Sequence, residues 1–180
     1  LKENKIPYEA FKKTEGMLYR YYRYKKEQVN IKYKIEFLEK QIKDIDNRIQ
    51  RTDVSVTDYY KTSPIEERVQ TSTNTTGYAE QQIIKAIEDL ENQKIKKKKK
   101  ILKLTYKEKE IEEFIYNVEI NINQLGPKEK KFIEYRYKDK YPVLQIYKIM
   151  REEFNLEQSR FYVIRDNLIS NIAHWMNIVK

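Results

Sequence analysis

Apolar positions recur along most of this chain with alternating spacings of four and three. Met17, Tyr21, Tyr24, Gln28, Ile31, Ile35, Leu38, Ile42, Ile45 and Ile49 form one such seam, the a and d positions of a heptad. The seam predicts a helix from about Tyr8 to Gln50, roughly 65 Å long at 1.5 Å per residue. Pro7 suits its first turn. A second seam reads Ile83, Ile87, Leu90, Lys94, Lys97, Ile101, Leu104, Glu108, Ile111, Ile115, Val118 and Ile122. It predicts a helix of nearly equal length from about Tyr78 to Asn123. Its polar members cluster in the middle, so the pairing is expected to splay or hydrate near Lys97. Between the seams, Thr52 to Gly77 is rich in Ser, Thr and Asp, contains Pro64 and has no period. A loop of that length suits the tip of a hairpin or a linker. The two seams can pair within one chain or between chains.

The last third changes period. Gly126-Pro127 ends the second helix and opens a short one over Pro127 to Lys138, with Phe132, Ile133 and Tyr137 available for packing. Tyr141-Pro142 breaks the chain again. A helix follows from about Val143 to Phe154, and a last one from near Gln158 to about Trp175. Met150, Phe154, Leu156, Phe161 and Ile164 fall at offsets 0, 4, 6, 11 and 14. Those are the inward positions of two short helices crossing at a tight turn. Asn155 stands where the chain must reverse, and Asn tolerates a left-handed backbone. Leu168, Ile172 and Trp175 extend the buried face of the final helix. Its exposed face then carries Gln158, Ser159, Arg160, Tyr162, Val163 and Arg165, the surface that a DNA-binding unit sends into the major groove. Arg151, beside Met150, stands where close helix approach favours a small side chain, and it must snorkel outward.

The expected fold is therefore all-α: a long two-helix antiparallel hairpin or coiled coil over residues 1–123, with a polar loop at about 52–77, and a helix-turn-helix bundle over 124–180. Three Gly, four Pro and 36% charged residues agree with long helices. The 37 Lys and Arg exceed the 28 Asp and Glu by nine charges, which makes a polyanion a plausible partner. Abundant Lys, Ile, Tyr and Asn match an AT-rich coding bias, which discounts some of that charge. No cysteine is present, so disulfides, thiolate catalysis and Cys-ligated zinc are excluded. No apolar run approaches a membrane span and no signal peptide is visible, so no membrane role is expected and the default location is the cytoplasm. Asn74-Thr75-Thr76 matches a glycosylation acceptor, read here as chance.

Catalytic chemistry finds no constellation, and no enzyme, cofactor or metal site is expected. His174 has no second His or Cys to share a metal. Glu112-Glu113 and Glu152-Glu153 are adjacent on helices, where neighbours do not face each other. No Gly-rich phosphate loop occurs. Lys94 to Lys109 holds nine Lys and one Glu. It reads either as a phosphate-backbone contact or as a solvated helix face, the latter preferred. The sixteen tyrosines are read as packing residues rather than base-stacking platforms.

Ser159-Arg160-Phe161-Tyr162, then Arg165, Leu168-Ile169 and Ile172-Ala173, resembles the C-terminal signature of phage late-transcription activators of the RinA/ArpU type. That signature is similar in turn to region 4 of bacterial sigma factors. Leu125, Glu129, Phe132-Ile133 and Arg136-Tyr137 resemble the preceding helix of that unit. Arg68-Val69-Gln70-Thr71-Ser72 and Ala79-Glu80 resemble the linker of a related phage and prophage family. The resemblance spans about Pro64 to Trp175. It implies sequence-specific binding of double-stranded DNA and activation of phage late genes through host RNA polymerase. Gln158, Ser159, Arg160, Tyr162 and Arg165 are the candidates for base edges or nearby phosphates, and Lys128, Lys130 and Lys131 for the backbone. Glu157 departs from the Ser or Thr common at its position. Two rivals remain: a coiled-coil structural or adaptor protein, and a packaging component like a small terminase subunit. The heptad helices leave room for a homo-oligomer.

Overall fold

A computed structural model of the chain describes residues 6–51 and 77–179. The polar loop, with Pro64, the 68–72 segment and the 74–76 acceptor, lies outside the described residues. Those described form five helices and no strand: α1 (Tyr8–Gln50), α2 (Tyr78–Asn123), α3 (Pro127–Ile133), α4 (Val143–Phe154) and α5 (Gln158–Trp175), with a π-helical turn (Glu134–Lys138) directly after α3. The chain divides into two compact units. The first takes Leu1–Ile31 with Lys107–Lys180, and the second takes Lys32–Tyr106.

In the second unit the end of α1 meets the start of α2. Leu38, Ile45 and Leu90 are buried, and Ile35, Ile42, Ile49, Ile83, Ile87, Ile101 and Leu104 are half-buried. Residue numbers fall on one helix as they rise on the other: Gln41 accepts a hydrogen bond from Lys97 Nζ at 2.7 Å, and Asp46 pairs with Lys94. The helices thus run antiparallel over these residues. The two lysines that interrupt the second seam meet polar partners on α1, Gln41 and Asp46, where the pairing was expected to splay or hydrate.

In the first unit the beginning of α1 and the end of α2 also run antiparallel. The Tyr24 and Phe114 rings meet edge to face at 5.2 Å. Glu119 accepts hydrogen bonds from the Tyr21 hydroxyl (3.0 Å) and Lys25 Nζ (2.6 Å). Burial lifts the Tyr21 phenol above its ordinary range, and the Lys25 ammonium holds the Glu119 carboxyl below its own. Ile111, Ile115, Val118 and Ile122 are buried, as the second seam predicts. Thr14 and Leu18 are fully buried as well. The buried spacing here runs Thr14, Leu18, Tyr21, so Leu18 takes the place read for Met17, which is half-buried, and Thr14 extends the seam by one step.

The short helices close this core. Gly126 begins α3, and its N–H donates to the Glu129 carboxylate at 2.7 Å, one half of a capping box. A Cβ at Gly126 would sit 3.3 Å from that oxygen, so glycine admits the close return of Glu129. The π turn is closed by Asp139 N–H to the Glu134 carbonyl (3.0 Å) and Tyr141 N–H to the Tyr135 carbonyl (2.9 Å), with Lys140 left-handed at φ 60°. That wide turn carries Tyr137 into the core, where its hydroxyl donates to Glu15 at 3.2 Å and its ring meets Tyr19 at 4.8 Å. Phe132, Ile133, Tyr137, Ile146, Met150, Phe161, Leu168, Ile169, Ile172 and Ala173 are all essentially inaccessible. Trp175 departs from expectation: it is 39% exposed. A helix turns every 3.6 residues, so the buried stripe drifts off the 3.5-residue rows and passes through Ile169, Ile172 and Ala173. Beyond the end of α5, Met176 continues that side, its sulfur 2.8 Å from the Asn121 amide nitrogen.

Candidate nucleic-acid interface

The junction of α4 and α5 is built around one backbone reversal. Asn155 adopts φ 50° and ψ 48°, the left-handed conformation that ends α4. Three residues later α5 begins, with the Glu157 carbonyl accepting the Phe161 N–H at 3.0 Å. Met150, Leu156 and Phe161 are buried around this corner, while Phe154 and Ile164 are half-buried. The Phe161 ring lies 5.7 Å from Phe132 and 5.5 Å from Tyr147, so one aromatic from α5 ties α3 and α4 together. Arg151 is exposed, as snorkelling beside Met150 requires.

The eight residues singled out from the sequence divide into three groups. Gln158, Ser159 and Arg160 are exposed on the first turn of α5. Their backbone N–H groups lie in the helix turn that favours anions. Tyr162 and Arg165 are half-buried, and Arg165 is engaged inside the chain. Its Nε and Nη2 lie 2.8 and 2.7 Å from Asp166 Oδ1, and its guanidinium stands over the rings of Tyr162 (5.1 Å) and Phe11 (5.9 Å). Phe11 belongs to the first turns of α1, a neighbour that nothing in the local pattern of α5 announces.

Two of the three α3 lysines gather at the end of α4, and Lys130 turns instead to the end of α2. Lys128 and Lys131 sit over the Phe154 ring at 5.4 and 5.5 Å. Lys131 also pairs with Glu153 at 2.8 Å, and Lys130 donates to the Asn123 carbonyl at 3.0 Å. Glu153 takes a second hydrogen bond from the Tyr135 hydroxyl at 2.9 Å. Lys131 holds the Glu153 carboxyl below its ordinary range, and Glu153 raises both Lys131 and Tyr135. The pair is solvent-exposed, where such bridges contribute little. Phe154 precedes Gln158 by four residues, at most about 14 Å of chain, so Lys128, Lys131 and the first turn of α5 flank the same corner, while Lys130 does not join them.

Other residues of chemical interest lie elsewhere. His174 is exposed near the end of α5, and Glu112 and Glu113 are both exposed on α2. Among the described residues no helix is long and apolar enough to cross a membrane. No family model, no curated protein and no solved structure matches this chain.

Proposed function

We propose that the chain is a sequence-selective binder of double-stranded DNA, a transcriptional regulator of phage or prophage origin that works in the cytoplasm with host RNA polymerase on late genes. In this reading α4, Asn155 and α5 form a sigma-region-4-like helix-turn-helix, carried on the antiparallel pairing of α1 with α2. One observation carries it: the polar residues Gln158, Ser159 and Arg160 stand exposed on the first turn of α5, directly after a left-handed reversal, while Phe161 behind them is locked in the core. A helix anchored from behind and open at its N-terminal turn is the arrangement that reads a major groove. Arg160 is the leading candidate for a base edge, where Arg pairs with guanine in two contacts. Lys128, Lys130 and Lys131 supply backbone contacts. Arg165, held by Asp166 and two rings, serves first to brace the helix.

The test is titration of the full chain onto DNA from upstream of its own gene and onto a scrambled duplex of equal length, at two salt concentrations. A selective reader prefers the first DNA at both, by roughly a factor of 10³ or more at physiological salt. Equal affinity for the two duplexes leaves only counterion release and overturns the proposal.

A further inference from the structure

The second unit carries two grooves of opposite character. One, of about 610 Å³, is lined by Asp46, Ile49, Gln50, Glu91, Lys94, Ile95 and Lys98, two acids against two lysines. The other, of about 510 Å³, draws four lysines together, Lys34 from α1 and Lys96, Lys97 and Lys100 from α2, and no acidic residue lines it. A coding bias toward lysine would add cations to both grooves alike; it would not strip the acids from one. Lys97 is fixed in place by its hydrogen bond to Gln41. Among the described residues Lys34, Lys96 and Lys100 have no partner, and all three are exposed. Leu38 and Leu104 give the groove an apolar floor. Phe37, on its rim, is 60% exposed, and Tyr33, one helical turn earlier on the same face, is 67% exposed.

We propose that this groove binds single-stranded nucleic acid, with phosphates held by Lys34, Lys96, Lys97 and Lys100 and an unpaired base stacked on Phe37. Cations alone would accept any polyanion. Aromatic faces left in water beside them are what unpaired bases use and what a duplex, whose bases are stacked already, cannot. The volume lies within the range of ligand clefts. The site is made by residues 34–104 alone and does not depend on the helix-turn-helix reading.

The experiment uses the full chain and a labelled oligothymidylate of about 15 nucleotides, with binding followed by anisotropy over a range of salt. Four phosphate contacts give a slope of log K against log salt of about −2.8, at roughly 0.7 per contact on a single strand. Replacing Lys96→Gln and Lys100→Gln together should flatten that slope by about 1.4. Phe37→Ala should weaken binding roughly 5- to 100-fold with the slope unchanged, and Phe37→Trp should restore it, with the new indole quenched by the bases. Phe37 is exposed, so its replacement leaves the helical signal and melting temperature intact. The proposal is overturned if Phe37→Ala binds like the unaltered chain, if Lys96→Gln with Lys100→Gln leaves the salt slope unchanged, or if polyglutamate or polyphosphate of equal charge displaces the oligonucleotide as well as unlabelled oligothymidylate does. Promoter selectivity is read on a different DNA, so this proposal and that of duplex recognition by α5 can each fail alone.

Discussion

The two compact units use the same pair of heptad helices and bury them to different depths. Among the described residues of the second unit, α1 and α2 have only each other. The buried apolar residues there are Leu38, Ile45 and Leu90, none of them below 5% exposure. In the first unit α3, α4 and α5 join them, and Leu18, Val118, Ile133, Ile146, Met150, Phe161, Leu168, Ile169, Ile172 and Ala173 reach zero. A lone helix pair can bury one stripe on each partner, so each seam residue keeps an edge in water. Further helices cover those edges. Stability should therefore be concentrated in the first unit, and the second should open at lower free-energy cost.

The largest effects test that contrast directly. Phe161→Ala removes a fully buried ring in contact with Phe132 and Tyr147 and should cost about 3–5 kcal/mol, whereas Leu38→Ala should sit near the low end of its class, about 2 kcal/mol. Thermal or denaturant unfolding measures both. Equal losses would break the comparison. Amide hydrogen exchange sharpens it: residues 35–50 and 83–104 should exchange through smaller openings than residues 161–173.

Next in size are the arginines of α5, which the structure separates. Arg160→Ala should leave the melting temperature unchanged and weaken binding to the preferred duplex by about 1–3 kcal/mol, relaxing specificity at one position. Arg165→Ala should lower stability as well, because its guanidinium is packed over Phe11 and Tyr162 and its side chain is only 28% exposed. If Arg165→Ala leaves stability untouched, the contact with α1 contributes nothing and Arg165 returns to the exposed reading surface.

The difference between those arginines marks what sequence periodicity can deliver. Helix limits were legible because capping and breaking residues act locally: Pro7, Gly126-Pro127, Pro142 and Asn155 each stand at an end of a helix. Burial along the seams was legible because a heptad names its own inward face. What lay beyond reach were contacts between segments far apart in the chain. Phe11 over Arg165 and Glu15 with Tyr137 join the start of α1 to the C-terminal helices, and neither seam contains a signal for them. Only Thr14 and Leu18, which lead to Tyr21 by steps of four and three, could have shown that α1 stays buried there. Gly126-Pro127 is a clear break in the helix, yet the core passes across it, because a break in direction need not be an edge of packing.

Tyr137 offers a smaller, pH-resolved test of that core. Burial, and then the neighbouring Glu15 charge, push its phenol well above the ordinary value of 10.0. The unfolded chain ionises this phenol near pH 10 and the folded chain only higher. The neutral form's contribution is therefore complete below pH 10 and is lost as pH climbs above it, by at most about 1.4 kcal/mol per pH unit. Tyr137→Phe should cost about 1 kcal/mol at neutral pH through the lost bond to Glu15 and should make the alkaline decline less steep. An unchanged alkaline slope would place the responsible group elsewhere, with Tyr22, also raised by burial, the next to replace.

The smallest effect should have the opposite sign. Ser170 lies at zero exposure on α5 between Ile169 and Ile172, and among the described residues its hydroxyl has no hydrogen-bond partner. Folding strips that hydroxyl of water without replacing the lost bonds, a cost of about 1–3 kcal/mol when nothing compensates. Ser170→Ala deletes the oxygen and leaves a small void, and alanine is the better helix former. The gain and the void oppose each other, so a net stabilisation of up to about 1 kcal/mol is expected, seen as a modest rise in melting temperature with DNA binding unaltered. A fall in melting temperature would mean that the hydroxyl is satisfied after all, by the helix carbonyl four residues back or by a buried water, and that the core of the first unit has no polar defect at this position.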